Sequence, residues 1–349
     1  MSTSVSDRDH LIIAALGLSA IGGLYLDGWA HTNRPGLETF FTPWHAVLYS
    51  GFILTAAWVV LLAVRLGGLA AGPQGWWAAL PKAYRAGVVG VSVFAAGGAG
   101  DMLWHTLFGV EVGVDALLSP THLILLIGGM LLFSSPSVAA ARDFSGRWTA
   151  VAAMALSSAA VGAAAAFFLS YLEVFRHPRA SEFYVANGSN EVSAILGFGG
   201  YLANTAAIVV AVLLLRRFLD RPPLGVLTTV TAAVAIGGAA FSEFAFPTPV
   251  VGAIAGAVVA EALLVLVPWP WDRWLVLGAL GPIAIWSGQL IGVELSVGIG
   301  WTVELWAGVV ALCGLAGLSL AMLTRPRESA ASPNQTPDEL PEATATLVG

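Results

Sequence analysis

The sequence predicts an all-α, polytopic integral membrane bundle of about ten transmembrane helices, and three observations carry that prediction. Ten apolar runs punctuate the chain. Of its 349 residues, 57% are hydrophobic and only 10% charged. The basic residues collect in alternate loops. A chain so poor in charge belongs in a lipid bilayer rather than in water.

The runs cover residues 10–30, 43–64, 84–105, 120–139, 148–172, 191–215, 224–243, 248–267, 273–291 and 301–323. At 1.5 Å per residue, runs of this kind reach across ~30 Å of hydrocarbon. The first lacks the basic flank and cleavage site of a signal peptide and reads as a retained span. Several runs are rich in Gly and Ala, as from Ala159 to Ala166 and from Gly252 to Ala260. Small residues let membrane helices approach closely, so a tight bundle is expected. Residues 1–323 therefore read as one transmembrane domain. Residues 324–349, rich in Ser, Pro, Glu and Thr, read as a disordered cytoplasmic tail.

Charge sets the expected orientation. With the N-terminus cytoplasmic, Arg8, Arg65, Lys82, Arg85, Arg142 and Arg147 fall inside, as do Arg216, Arg217, Arg221, Arg273, Arg325 and Arg327. Only Arg34, Arg176 and Arg179 fall outside. The positive-inside rule then gives a multi-pass protein of the cell membrane with both termini cytoplasmic. A net charge of −6 argues against nucleic-acid binding. The single cysteine, Cys313, lies in an apolar run, which removes disulfides and thiolate metal sites from consideration.

One pattern occurs twice. Asp27-x3-His31 is followed by Thr42-Pro43-Trp44-His45, and Asp101-x3-His105 by Ser119-Pro120-Thr121-His122. An acid and a histidine four apart share one helix face. Thr42 and Ser119 are placed as N-caps, with Pro43 and Pro120 as first helical residues. The second histidine of each copy then sits in the first turn of the returning helix. There the positive end of the helix dipole disfavours imidazolium and keeps a nitrogen lone pair available. One carboxylate and two imidazoles form a ligand set for copper, zinc or iron. Trp29, Trp44 and Trp104 flank these residues, as water excluders or interfacial anchors.

The acids Asp27, Asp101, Glu173, Glu243 and Glu294 end alternate spans, 74, 72, 70 and 51 residues apart. This spacing suggests degenerate helical-hairpin repeats, the first two most complete. The third keeps the acid-x3-His step as Glu173 and His177, a lesser polar-site candidate.

The motif Phe41-Thr42-Pro43-Trp44-His45, preceded by Asp27-x3-His31, resembles the copper-site motif in one of the membrane subunits of the particulate methane and ammonia monooxygenases. The resemblance covers about 25 residues per copy. It implies Asp27, His31 and His45 as copper ligands, with Asp101, His105 and His122 as a second set. It also implies an oxidoreductase acting with other membrane subunits, whereas the chain alone leaves a homo-oligomer equally open. The likeness is partial, because 13 residues separate the histidines of the first copy and 16 those of the second. The family's subunit also carries one such motif and fewer spans.

Glu261 is a separate candidate. An ionisable group inside an apolar run costs ~2.5 kcal/mol or more unless paired or lining a cavity. It reads as a proton-relay or cation-path residue, with Gln289, Glu294 and Glu304 as potential neighbours, or as a protonated side chain bonded to another helix. Asn204 reads as a helix–helix hydrogen-bond residue. Three functions follow: a metal protein of monooxygenase type, a transporter or channel for a metal ion, proton or small solute, and a scaffold held together by polar clusters. Haem ligation by facing histidines is a further use of the same residues, although the acids at i−4 are not needed for it.

Overall fold

The computed structural model describes residues 5–34, 42–109 and 113–324. Phe41 of the first motif and the expected tail from residue 325 onward lie outside the described residues.

Ser6 opens the first helix with a capping box. Its hydroxyl accepts the Asp9 N–H, and the Asp9 carboxylate accepts the Ser6 N–H. From there α1 runs over Asp7–Asn33. The helices that follow are α2 (Pro43–Gly67), α3 (Gly72–Ala79), α4 (Lys82–Phe108), α5 (Val114–Leu118), α6 (Pro120–Arg142) and α7 (Trp148–Phe168). The second half holds α8 (Glu191–Leu213), α9 (Val226–Ala240), α10 (Pro247–Leu266), α11 (Arg273–Ser296) and α12 (Val303–Leu323). There is no strand among the described residues. Nine helices among the described residues are long and apolar enough to cross a membrane, so the chain is a multi-pass helical membrane protein.

The expected span over 224–243 is the exception, because its helix, α9, has only 15 residues. At its start Gly225 adopts a left-handed φ of 90°, and at its end Glu243 and Phe244 take φ of 52° and 60°. Left-handed residues stop an α-helix. The helix is therefore ~22 Å long, shorter than the hydrocarbon layer.

Two hairpins carry the duplicated motif. In the first, α1 packs along α2; in the second, α4 packs along α6. Both are closed by glycine. A methyl group on Gly51 would stand 2.6 Å from the Ala20 Cα, and one on Gly128 would stand 2.5 Å from the Phe94 N. Only hydrogen at these positions lets the backbones cross so closely, and the crossings bring each motif's two helix ends together. Helix α1 also packs against α6 and α7, which joins the hairpins around a common interior. The second half is tied by its own contacts, α10 to α11 and α11 to α12. A buried Arg216 pairs there with Asp272 and donates to the Ala321 carbonyl.

Candidate metal centre

The two motifs fold as their local chemistry dictates. Thr42 caps α2 by accepting the His45 N–H at 3.1 Å, with Pro43 in the first turn. Ser119 caps α6 by accepting the His122 N–H at 3.4 Å, with Pro120 in the first turn. Each cap therefore fixes the histidine three residues on. Asp27 and His31 share a face in the last two turns of α1, and Asp101 and His105 do so in α4.

The side chains converge. In the first triad, Asp27 Oδ2 lies 3.7 Å from His31 Nε2, and Asp27 Oδ1 lies 3.4 Å from His45 Nδ1. In the second, Asp101 Oδ1 lies 3.5 Å from His105 Nε2 and 3.4 Å from His122 Nε2. Within each triad, one ligand atom from every residue falls within 4.8 Å of the others, so either group can hold a metal ion. Asp27, His45 and Asp101 are buried.

The surroundings of the ligands differ. In the second triad His105 Nδ1 lies 3.2 Å from the Gly109 carbonyl oxygen. A carbonyl only accepts, so that nitrogen carries the proton and Nε2 keeps its lone pair. His122 Nδ1 is 2.6 Å from Ser119 Oγ, and the Thr121 hydroxyl donates to Asp101 Oδ1 at 3.0 Å. These are the outer contacts that orient metal ligands. In the first triad His45 Nδ1 lies 3.0 Å from Thr42 Oγ1, on the side that also faces Asp27. Asp27 Oδ1 is buried and takes no hydrogen bond among the described residues. A carboxylate oxygen removed from water and left without a donor is costly, and a cation between it and the imidazoles would satisfy it. The donor set fits a bound cation.

Both triads face one cavity of about 510 Å³. Its walls below the ligands are apolar and aromatic, with Tyr49, Phe94, Phe133, Phe167 and Phe241 among them. Tyr49 stacks on His45 with ring centroids 6.2 Å apart. Gly28, beside Asp27, makes room for Phe167 and Phe241, since a methyl group there would come within 2.6 Å and 3.1 Å of their rings. These aromatic residues come from five helices or helix ends, and no spacing in the sequence marks them. The tryptophans are arranged otherwise: Trp29 meets Trp44 edge-on at 5.9 Å, and Trp104 packs on Phe108 at 4.6 Å.

The remaining candidates do not join this centre. Helix α7 ends at Phe168, so Glu173 and His177 lie on non-helical chain and do not share a helix face. Glu173 is buried against Gly238 and accepts the Phe175 N–H at 3.1 Å. Burial pushes its carboxyl up to about 7. His177 is exposed. Glu261 accepts from the N–H groups of Gly225 and Leu227 at 2.9 and 3.0 Å, and from the Thr228 hydroxyl at 2.7 Å. It thereby caps the start of α9 from α10. Gln289, Glu294 and Glu304 are not its neighbours. Gln289 accepts from Tyr201, and Glu294 accepts the Ile299 N–H within its own helix end. Glu304 is exposed at the start of α12. Asn204 donates to Gly200 of its own helix rather than across to another.

Fold and site together define a class: a multi-pass helical membrane protein whose paired Asp-His-His clusters can bind metal. No protein-family description, curated protein or solved structure matches the chain.

Proposed function

We propose that the chain is a copper-binding integral membrane protein with two Asp-His-His sites opening on one apolar cavity, related in its site to the copper-motif subunit of the particulate methane and ammonia monooxygenases. The observation that carries this reading is the orphaned Asp27 Oδ1, buried among imidazoles in a cluster that is repeated in the same cavity. Asp27, His31 and His45 would hold one ion, and Asp101, His105 and His122 a second. Imidazole and carboxylate ligands suit copper, zinc and iron alike; the motif resemblance selects copper. Bound copper would supply one-electron chemistry toward dioxygen.

The chain's own residues account for the rest. The caps Thr42 and Ser119 orient His45 and His122. Gly109 fixes the tautomer of His105. The aromatic walls keep water out and receive small apolar molecules arriving from the bilayer, the substrate class in this reading. The motif resemblance also makes other membrane subunits the expected partners. Positive-inside orientation puts the triads at the non-cytoplasmic face.

Elemental analysis and paramagnetic resonance of the purified chain test this reading. About one copper per triad is expected, with His45→Ala and His122→Ala each losing one and the double variant losing both. Equal metal content in all four proteins would defeat it. A transporter is less well supported, because Glu261, the residue that suggested an ion path, is engaged by three hydrogen bonds at the start of α9.

A further inference from the structure

Arg176 lines the same cavity as the two triads. It is presented by a firmly held loop. Phe175 beside it is buried against Trp286 at 5.9 Å, and Glu173 folds back to accept the Phe175 N–H. Its guanidinium lies 5.4 Å from the Phe241 ring centroid, and Phe241 in turn packs on Gly28 next to Asp27. The arginine thus stands one aromatic ring away from the ligand-bearing turn of α1.

The other buried or half-buried arginines, and the exposed Arg65, have partners. Arg65 pairs with Asp9, Arg216 with Asp272, Arg179 donates to Ser193, and Arg85 and Arg273 donate to backbone carbonyls. Arg176 has no ion pair and donates no hydrogen bond among the described residues, and its guanidinium lies over the ring of Phe241. Burial pulls it below the usual arginine value, and no acid among the described residues offsets this. A half-desolvated guanidinium with five unused N–H groups is unfavourable unless something arrives to use them. Its planar fork matches a two-oxygen anion.

The remainder of the cavity says what the anion is attached to. From Asp101 down to Phe94 on α4, and from His122 down to Phe133 on α6, the lining extends about 10 to 16 Å at 1.5 Å per residue. It becomes wholly apolar along the way. We infer that Arg176 is an anion-binding residue of the cavity, and that the cavity takes a small single-chain amphiphile whose carboxylate or similar oxyanion head is held by Arg176 beside the triads while its apolar tail fills the aromatic shaft. This builds on the metal reading for the chemistry at the head group, though the recognition itself needs only the guanidinium. With two divalent ions against Asp27 and Asp101, the head-group region gains net positive charge, so metal and anion reinforce each other.

The experiment is a binding titration of octanoate and of 1-octanol on the full chain in phosphatidylcholine nanodiscs. Octanoate is expected to bind at least tenfold more tightly than octanol. Arg176→Gln is expected to remove that preference while leaving octanol binding unchanged, and Arg176→Lys to restore part of it. Equal binding of the two probes, or an unchanged preference in Arg176→Gln, would overturn the inference. Including phosphatidylglycerol should leave octanoate binding intact. Suppression by it would assign the site to a lipid head group and overturn the free-amphiphile assignment. Elemental analysis of the same preparations separates the two readings. A metal-free wild type that still prefers octanoate defeats only the metal assignment, whereas a metal-loaded chain indifferent to the carboxylate defeats only this one.

Discussion

The two triads use the same three residue types, the same helix-end geometry and the same Pro-led cap, yet the carboxylate of one is braced by a hydroxyl and a buried oxygen of the other is not. Asp101 is held by Thr121, and the Nδ1 atoms of His105 and His122 are engaged by Gly109 and Ser119, which leaves Nε2 of both rings turned toward one carboxylate oxygen. Asp27 keeps an orphaned buried oxygen, and His45 turns toward it the same Nδ1 that lies against Thr42. The lesson is that a duplicated ligand pattern does not imply duplicated sites. Bracing contacts typically change metal affinity by tenfold to a hundredfold each.

The largest expected effect is therefore the order of metal loss. Against a graded series of chelators, the first triad should empty at a free-metal level on the order of a hundredfold higher than the second. Resonance spectra recorded along the titration would show two distinct copper signals disappearing in turn. Simultaneous loss would mean that the bracing contacts are without consequence.

Next in size is the removal of a single brace. Thr121→Val keeps the shape of the side chain and deletes the hydroxyl that donates to Asp101. Affinity at the second triad should fall by about tenfold or more, moving it toward the first, which should itself be unchanged. If both sites weaken together, the two ions are coupled too strongly to be treated as separate.

The sequence showed the ligands and hid the braces, for a physical reason. Asp-x3-His and Thr/Ser-Pro-x-His are local patterns: helical periodicity and N-cap chemistry place them without knowledge of the tertiary fold, and Thr42, Ser119 and both prolines stand where those rules put them. The helices were legible for the same reason, apart from α9, whose length is set by left-handed residues at both ends. Glu173 and His177 misled because the acid-x3-His spacing has meaning only on a helix, and α7 stops at Phe168. Glu261 misled because a buried acid is costly only when unpaired, and its partners lie 33 to 36 residues away. Arg176 and the aromatic walls come from separate helices and loops, so only the assembled cavity identifies them.

A third test reverses the sign of one substitution between the triads. In metal-free protein, Asp27→Asn removes a charge that is buried without a donor, and it should stabilise the fold by ~1–3 kcal/mol. Asp101→Asn disturbs a carboxylate that Thr121 already satisfies, and it should leave stability unchanged or lower it. Thermal unfolding in the presence of a strong chelator measures both. With copper restored, both variants should lose metal, so the sign difference is confined to the empty chain. Equal shifts in the metal-free state would show that the orphaned oxygen finds a donor in solution and that the triads are alike.

The smallest expected effect probes how one hairpin reaches the other. Gly98 lies one turn before Asp101 on α4, and a methyl group there would stand 3.0 Å from Tyr49 Oη and 3.1 Å from its Cε1. Tyr49 belongs to α2 and stacks on His45, so Gly98→Ala pushes on the first triad from the helix that carries the second. The tyrosine must retreat by a few tenths of an ångström in a packed wall, which costs about 1 kcal/mol. Copper affinity should fall a few-fold at the first triad and hold at the second, read from the two resonance signals in one titration. Were the second to weaken instead, the strain would be travelling along α4 to Asp101 rather than through the ring of Tyr49, and the first triad would not be the more deformable of the two.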